Sequence, residues 1–352
     1  MKESPITPLH MELGASMCET DGWNMPSVYT NLVDEHLAAR ASCGIFDVSH
    51  LAKFRVQGEQ ALPWLEKMFS NSVAELQNGV AHQTLMLNLQ GVIIDKMTLA
   101  CESPELFYLV GSAAQEKTDA CWLQKHLPPQ GVSLYNDTAA WCAIALQGPE
   151  SETVFRRVFG DMPYPTLYGF ERLTYRGEVL YVSRAGVFDE EGVDIYCTAA
   201  RGIQWFETLM RSGAIPCGMK TRECLRMEKG VLSTQDAAPD TLTPSVAGLE
   251  PLCSENKNYI GSEAVVQPQH AARRLVPIRC STAEAVPARG DVVMNRHGED
   301  IGTVTQSCES PALNLGIAMA LIDADCSEYG TPLLIKCSGV VLPAVVSDPR
   351  MF

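Results

Sequence analysis

The side chains able to do chemistry are scattered along this sequence, and their spacing excludes several common sites. The seven histidines show none of the short spacings that pair metal ligands, so each is expected to be a surface or structural residue. The sequence also lacks a G-x-G-x-x-G, a P-loop, an H-E-x-x-H and a G-x-S-x-G. A metal centre is therefore not expected, and generic motifs alone leave the function open.

Thirteen cysteines are the other reactive group, and they form no C-x-x-C pair. A disulfide scaffold is usually short, and a zinc site usually pairs its ligands closely in sequence. The odd number and the scatter instead indicate reduced, mostly buried thiols in a cytoplasmic protein.

Composition limits the possible partners. The 352 residues include 27 Lys and Arg against 42 Asp and Glu, which gives a formal net charge of −15. An acidic surface disfavours nucleic acid as a partner, although one Arg or Lys in a pocket can still hold a small anion. No apolar run approaches the ~20 residues that cross a bilayer, so no membrane association is expected. Hydrophobic residues make up 46% of the chain, as is usual for a globular protein.

The chain from residue 51 to about residue 137 alternates between strand and helix periodicities. Strand patterns lie at 52–56, 85–89, 92–100, 106–110 and 132–135, and helical patterns lie at 60–69 and 113–126. Apart from one additional strand, we interpret this order as β-α-β-β-α-β, the split βαβ arrangement of a ferredoxin-like domain.

The same order begins again after residue 138. Strands are predicted at 141–146, 173–175, 178–183 and 193–197, and helices at 149–160, 198–213 and 221–229. The order predicts an internal structural duplication, although residue-level similarity between the two halves is weak.

The last third of the chain has a different pattern. Residues 231–272 are rich in Pro, Thr, Asp and Ser and are predicted to connect, and six short apolar runs follow between 275 and 346. These runs predict a small all-β sandwich or barrel. We therefore expect three domains: 1–137, with an N-terminal segment and the first ferredoxin-like unit; 138–272, with the second unit and a linker; and 273–352, the barrel.

Eight local phrases, read in order, resemble one family, the glycine cleavage T-proteins or aminomethyltransferases. The match covers nearly the whole chain, and the order and spacing of the phrases make it specific. The phrases are TPLH (7–10), GWNMP (22–26), GIFDVSH (44–50), LMLNLQGVIID (85–95), ALQGP (145–149), RECLRMEKG (222–230), YIG (259–261) and IGTVTQS (301–307). The first two resemble the family's opening strand and loop.

This resemblance implies both a fold and a reaction. The fold is α+β, with two ferredoxin-like units and a C-terminal β-barrel in a three-domain cloverleaf around a central folate pocket. The implied reaction transfers a one-carbon unit from the aminomethyl-lipoyl arm of the H-protein to the co-substrate tetrahydrofolate, with release of ammonia. No metal takes part. The resemblance thus implies a cytoplasmic enzyme with a lipoyl-bearing protein partner.

The expected catalytic position departs from the family. The family has two adjacent aspartates where this chain has Asp95 and Lys96, and the family's catalytic carboxylate aligns with the second, Lys96. Neighbours on a strand point to opposite faces, so Asp95 replaces that carboxylate only if a bulge rotates it. Lys96 is either a surface lysine or a partly buried one that binds an anionic substrate or acts as a base.

Five further residues are expected to bind the folate because they match or neighbour family positions. Asp194 aligns with the glutamate that holds the pterin and is about one methylene shorter, and Phe188 supplies an aromatic ring in the same loop. Arg222 aligns with a folate-contacting arginine, with a solvated helix residue as the alternative. Ser112 lies where many members have Asn, and Leu51 lines the pocket wall or belongs to the core.

Three functions remain open on this sequence. The first is a tetrahydrofolate-dependent aminomethyltransferase with an altered active site. The second is another tetrahydrofolate-dependent methyltransferase or demethylase, in which position 96 needs no carboxylate. The third is a non-catalytic folate-binding homologue, but the cysteine and glutamine typical of that branch are missing at 258–263.

Overall fold

Strands and helices alternate along most of the chain. The computed structural model describes residues 1–185, 192–236, 241–266, 271–282 and 285–348. The strands are β1 (Lys2–Glu3), β2 (Ser16–Thr20), β3 (Trp23–Val28), β4 (Gly44–Asp47), β5 (Ala52–Gln57), β6 (Val80–Leu87), β7 (Ile93–Ser103), β8 (Leu106–Gly111), β9 (Ser133–Asn136), β10 (Trp141–Gln147), β11 (Phe170–Tyr175), β12 (Glu178–Ser183), β13 (Gly192–Thr198), β14 (Ile215–Pro216), β15 (Arg273–Cys280), β16 (Val292–Asn295), β17 (Asp300–Ser310), β18 (Leu315–Asp323), β19 (Pro332–Cys337) and β20 (Val340–Val346). The helices are α1 (Thr7–Glu12), α2 (Leu32–Ala41), α3 (Ala61–Met68), α4 (Glu116–Lys125), α5 (Ser151–Phe159), α6 (Gly202–Arg211), α7 (Met219–Glu228), α8 (Pro244–Ala247) and α9 (Ser262–Val266).

Two compact units make up the chain. The first contains Met1–Met86, Ile94–Arg222 and Lys257–Tyr259. The second contains Leu87–Ile93, Glu223–Asn256 and Ile260–Phe352. The predicted boundaries at residues 137 and 272 are a finer division and stay a prediction.

A five-stranded sheet in the first unit has the order β6-β7-β8-β5-β9. Strands β7, β8, β5 and β9, with helices α3 and α4, give the predicted split βαβ arrangement of a ferredoxin-like fold. Strand β6 extends the sheet at its edge. Helix α3 buries Trp64, Leu65 and Met68, as the predicted apolar stripe requires.

A six-stranded sheet, also in the first unit, repeats this pattern in the order β11-β12-β13-β10-β4-β14. Here β4 pairs antiparallel with β10, as β9 pairs with β5 in the other sheet. Residues 44–47, which precede the first ferredoxin-like sheet in the chain, therefore complete the second one. The apolar core of this sheet includes Ile45, Ile144, Ile195 and Phe206.

The N-terminal phrase at 7–10 was predicted as a strand, and this prediction is wrong. It forms α1, whose first turn contains Pro8. Proline fits a helix start, because its fixed φ suits the helix and the N–H that it lacks would have no helical partner there. The helix buries Leu9 and His10. Strands β2 and β3 follow it. Strand β3 pairs with both β1 and β2, which gives a sheet of order β1-β3-β2.

The second unit contains the predicted all-β domain, and it is a closed barrel. Its strand order is β15-β18-β17-β16-β19-β20, so the barrel leaves no unpaired edge. Alternate residues such as Ile278, Ala320 and Ile335 fill the interior. The predicted connecting segment contains the short helices α8 and α9. Within the described residues, no helix combines the length and the apolar character needed to cross a membrane.

Candidate functional site

Strand β7 places Asp95 and Lys96 on opposite faces of its sheet. Asp95 is fully buried, together with Met97 and Leu99, whereas Lys96 and Thr98 are half-buried. The pairing of β7 with β8 shifts register only between Cys101 and Ser103, beyond Asp95, so that bulge does not rotate it. Burial alternates along β7 as predicted, with Asp95 and Lys96 on opposite faces, and the catalytic role of either residue stays a prediction.

The Asp95 carboxylate is bound by the segment that follows β8. Ser112 donates its backbone N–H to Oδ2 at 2.7 Å and its hydroxyl to Oδ1 at 2.6 Å. A Cβ atom at Gly111 would lie 2.6 Å from Asp95 Oδ2, so only glycine fits beside this carboxylate. Burial raises the pKa of Asp95, and the bonds from Ser112 oppose that shift.

A second buried carboxyl, Asp119 on α4, approaches the same place. Its Oδ2 would lie 3.3 Å from a Cβ at Gly111. Burial, followed by the charge of Asp95, raises the pKa of Asp119 to about 10. Asp119 is therefore protonated at neutral pH, and like charges do not meet in this part of the core. Sequence reasoning missed Asp119, because nothing in its spacing distinguishes it from a surface aspartate.

The opposite face of β7 packs against the second sheet. The Thr98 hydroxyl donates to the Ala185 carbonyl at 3.3 Å. The hydroxyl groups of Tyr108 on β8 and Tyr181 on β12 are 2.8 Å apart. Lys96 is therefore on the face of the first sheet that meets the second sheet, whereas Asp95 is on the face that α4 covers.

Asp194 and Arg222 are both buried in the same unit, close enough for the charge of Arg222 to act on the Asp194 carboxyl. Asp194 is 8% exposed on β13, between β10 and β12, and Arg222 is 6% exposed on α7. Burial raises the pKa of Asp194 to about 6, although the positive charge of Arg222 and a hydrogen bond with Tyr196 act in the opposite direction. Asp194 is thus ionised at neutral pH. The alternative that Arg222 is a solvated helix residue is wrong, because its side chain is buried.

Glu35 on α2 anchors the start of the helix that carries Arg222. One carboxylate oxygen of Glu35 accepts hydrogen bonds from the Gly218 backbone N–H at 2.7 Å and from the Thr221 hydroxyl at 3.0 Å. The other oxygen accepts the Tyr29 backbone N–H at 2.6 Å. These bonds fix α7 at its first turn and so position Arg222. Sequence reasoning missed Glu35, because its partners Gly218 and Thr221 are more than 180 residues away.

Leu51 lies in the turn between β4 and β5, and Lys53 lies just beyond it on β5. The Lys53 ammonium donates to the Ser49 carbonyl at 2.9 Å and to the Leu51 carbonyl at 2.7 Å. Burial lowers the pKa of Lys53 to about 8. Leu51, predicted at the pocket wall, has a half-buried side chain. Sequence reasoning missed Lys53, although it closely follows the matched GIFDVSH phrase.

Asp47 fixes the beginning of this turn. It accepts hydrogen bonds from His10 Nε2 at 2.9 Å, from the Ser49 backbone N–H at 2.9 Å and from the Ser4 hydroxyl. Burial acts to raise the pKa of Asp47, but the hydrogen bond and charge of His10, together with the hydrogen bonds of Ser4 and Ser49, outweigh it and lower the pKa. The TPLH and GIFDVSH phrases thus meet through one buried contact.

A cavity of about 40 Å³ lies between the two sheets of the first unit. Its lining is largely apolar and consists mostly of aromatic rings. It includes Lys53, Tyr108, Trp141, Phe170, Tyr181 and Tyr196. At about 10–15 Å³ for each water-sized occupant, it has room for a small group rather than a whole pteridine. Tyr196, one of the lining residues, forms a hydrogen bond with Asp194, so the cavity adjoins that carboxylate.

The predicted site residues thus fall into two groups in the first unit. Asp95 and Ser112 bind each other on the helix-covered face of the first sheet. Asp194 and Arg222 lie together at the second sheet. Phe188 and the rest of its loop lie outside the described residues.

The thirteen cysteines are all free thiols, and most of them are buried, as predicted. Cys142 and Cys197 lie opposite each other on β10 and β13. Contact between the two thiols and their burial raise the pKa of Cys142 well above its usual value. A thiol held in its protonated form is a poor nucleophile, so this pair is part of the core.

Comparison with known proteins identifies the family. The GCVT N-terminal domain matches residues 6–257, and the glycine cleavage T-protein C-terminal barrel domain matches residues 273–352. The aminomethyltransferase of Chlorobaculum tepidum is 32% identical over 354 residues, which cover 98% of this chain and 97% of that protein. The aminomethyltransferase of Picosynechococcus is also 32% identical, over 99% of this chain and 98% of its own length.

A solved structure agrees with these relatives. The crystal structure of the glycine cleavage system aminomethyltransferase T from Bartonella henselae superposes with a TM-score of 0.92 at 25% sequence identity, covering 100% of this chain and 98% of that one. The ferredoxin-like sheets and the closed barrel found here are thus the fold of that enzyme. On the two domain matches, the full-length relatives and this superposition, the chain belongs to the glycine cleavage T-protein family.

Proposed function

We propose that this chain is a cytoplasmic, tetrahydrofolate-dependent aminomethyltransferase. The observation that carries the proposal is that Asp194 and Arg222 are both buried and that the charge of Arg222 acts on Asp194. Burying a carboxylate and a guanidinium is unfavourable unless both are paired or bind a ligand. A polar ligand with matching groups would use both side chains.

Tetrahydrofolate has such groups. The pterin presents its 2-amino group and a ring N–H side by side, and two parallel donors match the two oxygens of an ionised carboxylate such as Asp194. Arg222 offers donors to the ligand's oxygen acceptors. The pKa of Asp194, about 6, leaves it ionised at neutral pH, as this pairing requires.

The donor in this proposal is the aminomethyl-lipoyl arm of an H-protein. The enzyme's main contribution is to hold the folate nitrogen against the carbon bound to sulfur, so that carbon transfer becomes effectively unimolecular. A nearby acid or base then handles the proton of the departing amine. Lys96 occupies the position that we align with the family's catalytic carboxylate. A charged ammonium accepts no proton, so we expect slow aminomethyl transfer.

A second candidate follows from Lys96 itself. Its place on the sheet face that meets the second sheet favours a related tetrahydrofolate-dependent demethylase or methyltransferase. In such an enzyme, the Lys96 ammonium would pair with an anionic group of the one-carbon donor. The two candidates share the folate and differ in the donor.

One pair of measurements tests both candidates. Calorimetry with tetrahydrofolate should show binding, and Arg222→Met and Asp194→Leu should each weaken it at least tenfold, the equivalent of about 1.4 kcal/mol. An assay with aminomethyl-lipoyl H-protein should then show methylene-tetrahydrofolate and ammonia. Binding without turnover on this donor favours the second candidate. Absence of binding at millimolar tetrahydrofolate removes both.

A further inference from the structure

The turn between β4 and β5 is cross-bonded on both sides of residue 50. The Val48 backbone N–H donates to the Ala143 carbonyl at 2.9 Å, and the Ala143 backbone N–H donates to the Ser49 hydroxyl at 3.1 Å. The Leu51 backbone N–H closes the turn onto the Val48 carbonyl at 3.2 Å. Lys53 binds the turn's carbonyl groups from the next strand. The position of residue 50 is therefore fixed before any ligand arrives.

His50 stands in this rigid turn with an unsatisfied ring nitrogen. The residue is 2% exposed, and its Nδ1 has no hydrogen-bond partner in the described part of the chain. Water bonds removed by burial are normally replaced by protein contacts, because an unpaired buried polar atom is destabilising. His50 Nδ1 is such an unpaired atom, and it lies in a rigid turn where the buried side chains of Arg222 and Lys53 act on it. This arrangement indicates that His50 is positioned to bind a ligand.

The charges around His50 determine the protonation of its ring and therefore which ligand atom can form a hydrogen bond with it. Burial, the Arg222 charge on α7 and the Lys53 charge on β5 lower the pKa of His50 to about 3, and Asp47 on β4 only partly opposes them. The imidazole is therefore neutral and offers one donor and one acceptor nitrogen. With its proton on Nδ1, the ring can donate to an oxygen acceptor, which the charges of Arg222 and Lys53 also attract.

We propose that His50 is a ligand-positioning residue whose Nδ1–H donates a hydrogen bond to an oxygen acceptor of the bound tetrahydrofolate, next to Arg222. The inference rests on the proposed folate-binding function and adds a contact to it. On this proposal, the protein forgoes one internal hydrogen bond in its ligand-free state and gains it on binding.

Two substitutions at His50 and one matched control test the proposal. His50→Leu removes the ring nitrogen at similar size, and His50→Asn keeps a side-chain N–H donor. His82→Leu is the control, because His82 on β6 also has a buried unpaired nitrogen, Nε2, but lies near Glu66 and Lys257 instead of Arg222. Calorimetry with tetrahydrofolate gives the affinity, and thermal unfolding of the ligand-free proteins gives the stability.

The expected pattern separates a ligand contact from a structural role. His50→Leu should weaken tetrahydrofolate binding about five- to tenfold, the equivalent of one hydrogen bond, and should leave the ligand-free melting temperature equal to or above that of the wild type. His50→Asn and His82→Leu should each stay within about threefold of wild-type affinity.

Failure of this inference and failure of the proposed function give different results. Wild type that binds tetrahydrofolate while His50→Leu binds equally well removes only the role of His50. Wild type that does not bind removes the proposed function and this inference together. If His50→Leu does not fold, the Nδ1 resonance of His50 in nitrogen-15-labelled wild type decides: it should shift on ligand addition, and an unchanged resonance overturns the proposal.

Discussion

Ser112 donates two hydrogen bonds to the carboxylate of Asp95, one from its backbone N–H at 2.7 Å and one from its hydroxyl at 2.6 Å. Both residues were predicted to lie in the functional site. That placement stays a prediction. The contact ties them to each other on the sheet face that α4 covers, and through it Asp95 anchors the segment between β8 and α4.

The first prediction concerns this anchor. Ser112→Ala removes one bond to a buried carboxylate and should lower the free energy of unfolding by about 1–3 kcal/mol. Urea unfolding gives the value. Ser133→Ala, at an exposed position, is the matched control and should stay within about 0.5 kcal/mol of wild type. Equal stability of Ser112→Ala and wild type would show that the anchor is unimportant.

The second prediction concerns the protonated carboxyl of Asp119. Its folded pKa, about 10, lies above the unfolded value of 3.8. The stability that its proton contributes is therefore complete below about pH 4 and is lost as pH rises toward 10. Asp119→Asn carries no titrating group, so its stability relative to wild type should increase steadily with pH.

Unfolding in urea at about pH 5 and about pH 8 tests this second prediction. The stability difference between Asp119→Asn and wild type should favour the variant more strongly at the higher pH. A difference that does not change with pH would show that Asp119 is ionised in the folded protein.

The third prediction concerns Asp194 and the pH dependence of binding. If the ionised carboxylate holds the pterin, the dissociation constant for tetrahydrofolate should rise as pH falls through about 6, by up to tenfold for each further pH unit. Calorimetry between about pH 5 and pH 8 measures this. Asp194→Asn should bind more weakly and without that dependence, and any slope that remains in the variant belongs to the ligand.

The ligand-free protein should show the opposite trend for the same group. The folded pKa of Asp194, about 6, lies above the unfolded value of 3.8, so its contribution to stability is complete below about pH 4 and is lost as pH rises through 6. Asp194→Asn should therefore gain stability relative to wild type between about pH 4 and pH 7. A flat difference would contradict the raised pKa.

The fourth prediction concerns Lys96. Lys96→Asp places a carboxylate on the sheet face that meets the second sheet and should raise methylene-tetrahydrofolate formation from aminomethyl-lipoyl H-protein, by about 100-fold if it acts as a general base. Lys96→Met, which removes the charge without adding a carboxylate, is the control and should give little increase. A fully active wild type and an inactive Lys96→Asp would show that the catalytic position has been misplaced.

Local sequence pattern predicted much of the fold. Alternation at 52–56 and the apolar stripe at 60–69 are short-range signals that decide which face of an element is buried, and short apolar runs mark the barrel strands. The same alternation decided that Asp95 and Lys96 point apart, because neighbours on a strand always do. The wrong strand at 7–10 shows the limit: Pro8 fits a helix start as well as a strand edge.

Only part of the candidate site could be predicted from the sequence. The types and positions of Asp194 and Arg222 were found by resemblance, but their burial beside each other depends on β13 and α7 being brought together. Glu35, Lys53 and His50 have no distinguishing spacing. Their importance comes from partners in other elements, which a periodicity does not report.

The sequence by itself determined the order of most elements, the all-β character of the last domain and the alternation of faces along its strands, because these depend on contacts between near neighbours. Only the tertiary structure decided that β4 completes the second sheet, that Asp47 accepts a hydrogen bond from His10, and that His50 is buried with an unsatisfied nitrogen. Such pairings bring together residues that are distant in the chain. Closing these long loops costs chain entropy, and that cost is offset only when the whole sheet and its core form together.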